Sequence, residues 1–195
     1  VIPHGINNYF YGSALLLALL FIFISLLVFR MKPEVGYLLP LAPAAVASMY
    51  INWDLWAIAS MMLAIYWFDR KKYVPSALVM ALSISTKFLP VFLLIPIAFI
   101  LWREEKIKEL IKYVAIVAAS WLVINLPFAL TTPTGWWRFY KLNMERGADW
   151  GSIWLALEQL GITFTNLNYL SLLLLLIALT SIAIVLFELK YTPTL

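Results

Sequence analysis

Apolar runs separated by short charged breaks set the layout of this chain. Phe10–Phe29 is an unbroken apolar run. At about 1.5 Å per residue, a helix of that length covers roughly 30 Å, one hydrocarbon core. Tyr9, Phe10 and Tyr11 open the run, and Arg30 and Lys32 close it, as flanks of a membrane-crossing helix do. Val35–Tyr50 carries Gly36, Pro40 and Pro43, which predicts a kinked or partly unwound segment. Trp53–Phe68 follows and ends in Asp69-Arg70-Lys71-Lys72. Val74–Thr86 and Phe88–Trp102 come next, separated by Lys87, and each is short for a full crossing. Tyr113–Leu130 and Tyr169–Phe187 are fuller spans. Between Phe88–Trp102 and Tyr113–Leu130, the segment Trp102–Tyr113 predicts a short amphipathic helix of its own. Ile107, Leu110 and Ile111 form its apolar face. The expected architecture is therefore all-α. It is a polytopic transmembrane bundle with short and broken helices, forming a single domain over 1–195.

One segment breaks the apolar pattern. From Thr131 to Asn168 the chain is polar and aromatic, with Trp136-Trp137-Arg138-Phe139-Tyr140-Lys141 and Glu145-Arg146-Gly147-Ala148-Asp149-Trp150-Gly151-Ser152. It predicts an external loop with an interfacial helix. Indoles and charges so concentrated beside greasy spans point to a task at a membrane surface.

Composition agrees with the pattern. The chain is 64% hydrophobic and 12% charged, with a mean hydropathy of +0.92. A soluble domain of this size would leave large apolar patches in water, so lipid is the expected solvent. The net charge of +4 comes with no basic stripe of groove-binding spacing, and no nucleic-acid partner is expected. The absence of cysteine excludes disulfides and thiolate metal sites. No His/Asp/Glu cluster has metal-ligand spacing, so no metal or cofactor is expected. Val1 opens the sequence without a methionine, and a fragment of a longer protein is expected.

Charge placement sets the orientation. With the N-terminus outside, Arg30, Lys32, Arg70, Lys71, Lys72, Arg103, Lys106, Lys108, Lys112 and Lys190 fall inside. Only Arg138, Lys141 and Arg146 fall outside. That excess of inside Lys and Arg favours this orientation in the plasma membrane, with loop 131–168 on the outer face. It requires Val74–Thr86 and Phe88–Trp102 to run up and back. They form either a thin full hairpin or a re-entrant one, turning at Thr86-Lys87-Phe88-Leu89-Pro90.

Lys87 is the sharpest candidate. A lysine between two apolar half-spans costs several kcal/mol unless it snorkels or meets an anion. A lipid phosphate would be such an anion; ordinary headgroups reached by snorkelling are the alternative. Asp54 suits a helix N-cap and, given access to an acceptor hydroxyl, a general base. Asn52 is a capping type as well. In the loop, Arg138, Lys141 and Arg146 stand among Trp136, Trp137 and Trp150, which either stack on sugar rings or anchor helices at the interface. Asp149, between Gly147 and Gly151, either pairs with Arg146 or is presented to a cavity.

Taken in order, Asn52-Trp53-Asp54-Leu55, Ser85-Thr86-Lys87-Phe88-Leu89-Pro90, Asn125-Leu126-Pro127-Phe128, Trp136-Trp137-Arg138-Phe139 and Glu145–Ser152 resemble a known pattern. It is that of the GT-C membrane glycosyltransferases of family 87, which depend on polyprenyl-phosphate mannose. The resemblance covers about Ile51–Trp154. It implies inverting transfer of a sugar, often mannose, from a polyprenyl phosphate to a lipid or glycan acceptor on the outer face. Lys87 matches the family's lysine before the proline, and Arg146 and Asp149 match its loop motif. Charge, predicted side and aromatic character make Lys87, Arg138, Lys141, Arg146, Asp149, Trp136, Trp137 and Trp150 the expected substrate contacts. The resemblance places the general-base aspartate in a first external loop, expected upstream of Val1, with Asp54 and Asp149 as candidates within the chain. Two other readings remain. One is a transporter or flippase of a lipid-linked or small anionic substrate, which short proline-broken helices and an intramembrane lysine also mark. The other is a non-catalytic membrane subunit.

Overall fold

The computed structural model describes residues 4–50, 53–145, 147–149 and 152–188, and the regular structure among them is entirely helical. In chain order the helices are α1 (His4–Met31), α2 (Pro33–Gly36), α3 (Pro43–Ser48), α4 (Leu55–Asp69), α5 (Tyr73–Thr86), α6 (Leu94–Arg103), α7 (Ile107–Thr131), α8 (Pro133–Glu145), α9 (Ile153–Gln159) and α10 (Leu167–Glu188). Single 3-10 turns occupy Leu39–Leu41 and Leu89–Leu93. Three segments are long and apolar enough to cross a membrane: Asn8–Met31, Ile107–Thr131 and Leu167–Val185. Leu55–Asp69, Tyr73–Thr86 and Leu89–Arg103 are apolar but shorter. The chain forms two units, the boundary falling inside α7 between Ile124 and Asn125.

In the first unit, Val35–Tyr50 is broken as its prolines require. Helix α2 stops after four residues, a 3-10 turn follows, and Pro43 starts α3. Gly36 is what lets the chain reverse against α1. A Cβ there would lie 2.5 Å from the Phe29 Cα, a backbone clash that no rotamer relieves.

Helices α4 and α5 form an antiparallel hairpin. Their lengths, 15 and 14 residues, correspond to about 22 and 21 Å. The turn between them is a Schellman motif. Lys72 N–H donates to the Trp67 carbonyl at 2.9 Å, Lys71 N–H donates to the Phe68 carbonyl at 2.8 Å, and Lys71 sits at φ 59°. Small residues let the two backbones approach: Ala57, Ser60 and Ala64 on α4 meet Ser76, Ala77, Ala81 and Ser83 on α5, all buried. Two buried hydroxyls bridge the pair. Ser83 Oγ donates to the Ala57 carbonyl at 2.8 Å, and Ser76 Oγ donates to the Ala64 carbonyl at 2.7 Å. Close packing of small residues with hydroxyl bridges is how helices associate where lipid removes the hydrophobic drive.

Helices α6 and α7 complete this core. Ile97, Ile100 and Leu101 join Phe68, Met80 and Ile84, and Tyr113 and Val117 close the far side. Because the Ser76 proton goes to Ala64, the Tyr113 hydroxyl donates to Ser76 Oγ, at 3.0 Å.

The expected separate helix over Trp102–Tyr113 does not form. Helix α6 runs through Trp102 to Arg103, and a second Schellman motif, with Glu105 at φ 59°, ends it. Lys106 N–H donates to the Leu101 carbonyl at 2.8 Å, and Glu105 N–H donates to the Trp102 carbonyl at 3.0 Å. Helix α7 then starts at Ile107 and continues through the apolar span. The charges at 108, 109 and 112 sit on its exposed first turns and do not interrupt it. The expected apolar face is divided as well: Leu110 packs on the core, whereas Ile107 and Ile111 are exposed.

The second unit holds the end of α7 and helices α8–α10. Within the expected loop, two helices form, α8 and α9. Ser152 caps α9, its Oγ accepting the Leu155 N–H at 3.2 Å. Gly161, at φ 81°, ends it. Asn168 Nδ2 donates to the Met144 carbonyl, tying α10 to α8. No residue of the apolar window of α10 is buried.

Candidate functional site

The register of the α4–α5 hairpin carries its two functional candidates. Ala64 lies against Ser76 and Ala57 against Ser83. Continuing the same antiparallel pairing for one more turn brings the start of α4 to the end of α5. There Lys87 Nζ donates to Asp54 Oδ2, forming an ion pair across 33 residues of sequence.

Each partner is positioned by the backbone. Pro90 has no N–H for the Thr86 carbonyl, so α5 cannot run on. Ser85 and Thr86 turn their hydroxyls back onto the Ala81 and Leu82 carbonyls. Lys87 leaves the helix extended, at φ −150° and ψ 129°, while its N–H still bonds the Ser83 carbonyl at 3.0 Å. The turn thus falls within Thr86–Pro90, as the sequence predicts. Asp54 occupies the N-cap position of α4, but its side chain makes no capping hydrogen bond and faces Lys87 instead. Asn52 lies outside the described residues.

Both side chains are partly open, Lys87 at 47% and Asp54 at 39%. A pair this exposed is worth about 1 kcal/mol or less in water. An anion of higher charge would therefore compete well for Lys87. A cation capable of holding a phosphate and a carboxylate capable of taking a proton are thus held side by side at one end of an apolar hairpin.

The second unit carries the remaining candidates. Helix α8 is amphipathic: Thr134, Arg138, Lys141 and Glu145 share one side, and Trp136, Phe139, Tyr140 and Met144 the other. Arg138 is exposed and makes no ion pair among the described residues. Lys141 faces Glu145 at 3.8 Å, both well exposed. Trp136 is half-buried and donates its indole N–H to Asn125 Oδ1 at 3.3 Å, tying α8 to the end of α7. Its ring packs edge-on against Tyr140 at 4.9 Å, and burial raises the Tyr140 hydroxyl above its ordinary pKa. Trp137 is exposed. Asp149 is half-buried; its carbonyl accepts the Ser152 N–H at 3.0 Å, and its own N–H donates to Ser152 Oγ at 3.3 Å. Arg146, Trp150 and Gly151 lie outside the described residues, so the expected pairing of Arg146 with Asp149 lies there too.

Two features escape the sequence reading. Ser76 and Ser83 are buried hydroxyls seven residues apart in an apolar run, and that spacing on one side of a helix is their signal. Tyr113, expected only as the start of a span, is the hub joining α5 to α7. Among the described residues no group of His, Cys, Asp or Glu could hold a metal ion. No protein-family model, curated protein or solved structure matches the chain.

Proposed function

We propose that this chain is part of a polytopic plasma-membrane glycosyltransferase. It transfers a sugar, with mannose the expected one, from a polyprenyl phosphate to a glycan or glycolipid acceptor on the outer face. The observation that carries this reading is the Lys87–Asp54 ion pair at the end of the apolar α4–α5 hairpin. A polyprenyl carrier keeps its tail in lipid and its phosphate at the interface, the level at which a lysine ending a membrane helix can reach it.

The chemistry needs little else. The acceptor oxygen attacks the anomeric carbon, and the bond from that carbon to the phosphate oxygen breaks. Its electron pair leaves with the phosphate, and the acceptor proton passes to a carboxylate. Lys87 stabilises the charge developing on the phosphate. Asp54 is the carboxylate placed beside it, a base candidate alongside Asp149. In the second unit, Arg138, Lys141 and Arg146 are candidate contacts for negative charge on the donor by their residue type, and Trp136, Trp137 and Trp150 are candidate aromatic faces for sugar rings.

The test is sugar transfer by the reconstituted full chain, using a radiolabelled polyprenyl-phosphate mannose and an alkyl mannoside acceptor. The expected result is transfer that Lys87→Ala reduces. Absence of transfer, together with carrier-dependent movement of the labelled lipid between leaflets, would replace this reading with the flippase.

A further inference from the structure

At the opposite end of the α4–α5 hairpin, the fold gathers basic residues from two separate turns. Tyr73 OH lies 3.3 Å from Lys106 Nζ, and Phe68 packs edge-on against Tyr113 at 5.8 Å. These contacts bring Arg70–Lys72 and Arg103–Lys112 to one end of the first unit. Some of these cations are already engaged. The Arg70 guanidinium stacks over the Tyr66 ring at 3.6 Å, and Lys106 pairs with Glu104 at 2.5 Å. Lys71, Lys72, Lys108 and Lys112 are exposed and make no ion pair among the described residues.

We propose that this end of the first unit is a binding surface for anionic phospholipid headgroups, held by Lys71, Lys72, Lys108 and Lys112. One observation chooses a lipid over a soluble anion. The lysines border exposed apolar side chains, Trp102, Ile107 and Ile111, which would lie along acyl chains below the headgroups. Lys71 stands in the left-handed conformation, at φ 59°, where glycine is favoured and any other side chain costs about 1–2 kcal/mol, as does Glu105 at the neighbouring turn. This inference is independent of sugar transfer.

The experiment is native mass spectrometry of the purified full chain in mixed micelles, with phosphatidylglycerol as probe, phosphatidylcholine as neutral control and glycerol phosphate as soluble competitor. Wild type should retain phosphatidylglycerol over phosphatidylcholine, less so at high salt. Each lysine changed to glutamine should reduce that preference by up to about fivefold. Lys71→Gly is the variant that separates the roles of that lysine, since it relieves the backbone and so folds at least as well. It should raise stability yet weaken phosphatidylglycerol retention. Ile107→Ser/Ile111→Ser should weaken it too. The proposal is overturned if the lysine variants, Lys71→Gly included, keep the wild-type preference. Displacement of the lipid by glycerol phosphate would also overturn it.

Discussion

The two ends of the α4–α5 hairpin are built from the same apolar helices yet treat charge in opposite ways. At one end, among the described residues, Lys87 meets Asp54. At the other, Arg70, Lys71, Lys72, Arg103, Lys106, Lys108 and Lys112 outnumber Asp69, Glu104, Glu105 and Glu109. A matched pair suits one defined anion, because the incoming group replaces one carboxylate at one cation. An unmatched basic surface suits a diffuse field of negative charge, such as a leaflet of anionic lipid. On the proposed reading, the excess of basic residues assigns that end of the hairpin to the cytoplasmic side and the paired end to the outer one.

The largest expected effect tests this division. Lys87→Ala should lower kcat/KM for the polyprenyl-phosphate donor by about 100-fold, or ~3 kcal/mol, the scale of a lost charged contact to a phosphate. Neutralising Lys71 and Lys72 together should change it less than about twofold. Equal losses at both ends, in a steady-state transfer assay, would erase the distinction.

Next comes the packing that holds the ends apart. Ala77 is fully buried between α5 and its neighbours. Ala77→Leu should overfill that contact and cost roughly 1–3 kcal/mol, read from denaturant unfolding in micelles. The two serines sharpen the comparison. Ser83→Ala removes one bridge near the paired end and should cost about 0.5–1 kcal/mol. Ser76→Ala, nearer the basic end, also leaves the buried Tyr113 hydroxyl without its acceptor, and should cost about 1 kcal/mol more. Matching losses for the two would mean that the Tyr113 bond adds nothing.

The smallest effect is a pH dependence. The hydrogen bond to Glu104, and then that to Tyr73, raise the Lys106 pKa above the ordinary lysine value. A raised lysine stabilises the fold below its unfolded pKa, and that contribution is lost as pH rises through the folded one. Thermal unfolding should therefore show a small alkaline destabilisation in wild type that Lys106→Gln lacks.

Much of this arrangement is legible in the chain. The apolar runs locate α4, α5 and α10 to within two residues, while α1 and α7 start earlier, at His4 and Ile107 instead of Phe10 and Tyr113, because polar first turns can be helical without being apolar. Gly36, Pro40 and Pro43 mark the broken segment, and Lys87 before Phe88-Leu89-Pro90 marks the end of α5. Other features are less visible. Glu104-Glu105-Lys106 reads as part of a charged helix, yet Glu105 adopts a left-handed conformation that its residue type does not advertise. Helix α8 lies where the sequence predicts a helix within 131–168, its Thr134, Arg138, Lys141 and Glu145 side following the helical period, whereas α9 is a second helix that the pattern does not separate. The Lys87–Asp54 pair depends on the hairpin register, which two buried serines fix and which no local pattern encodes.

The most direct test of the paired end measures binding without chemistry. Polyprenyl phosphate, lacking a sugar, is titrated into the full chain in nanodiscs of neutral lipid. Wild type should bind it saturably, and Lys87→Ala should weaken binding at least tenfold. Asp54→Asn, which removes the competing carboxylate from Lys87, should tighten it. If the carrier binds equally to wild type and Lys87→Ala, Lys87 is not a phosphate site and the account of this end of the hairpin is wrong.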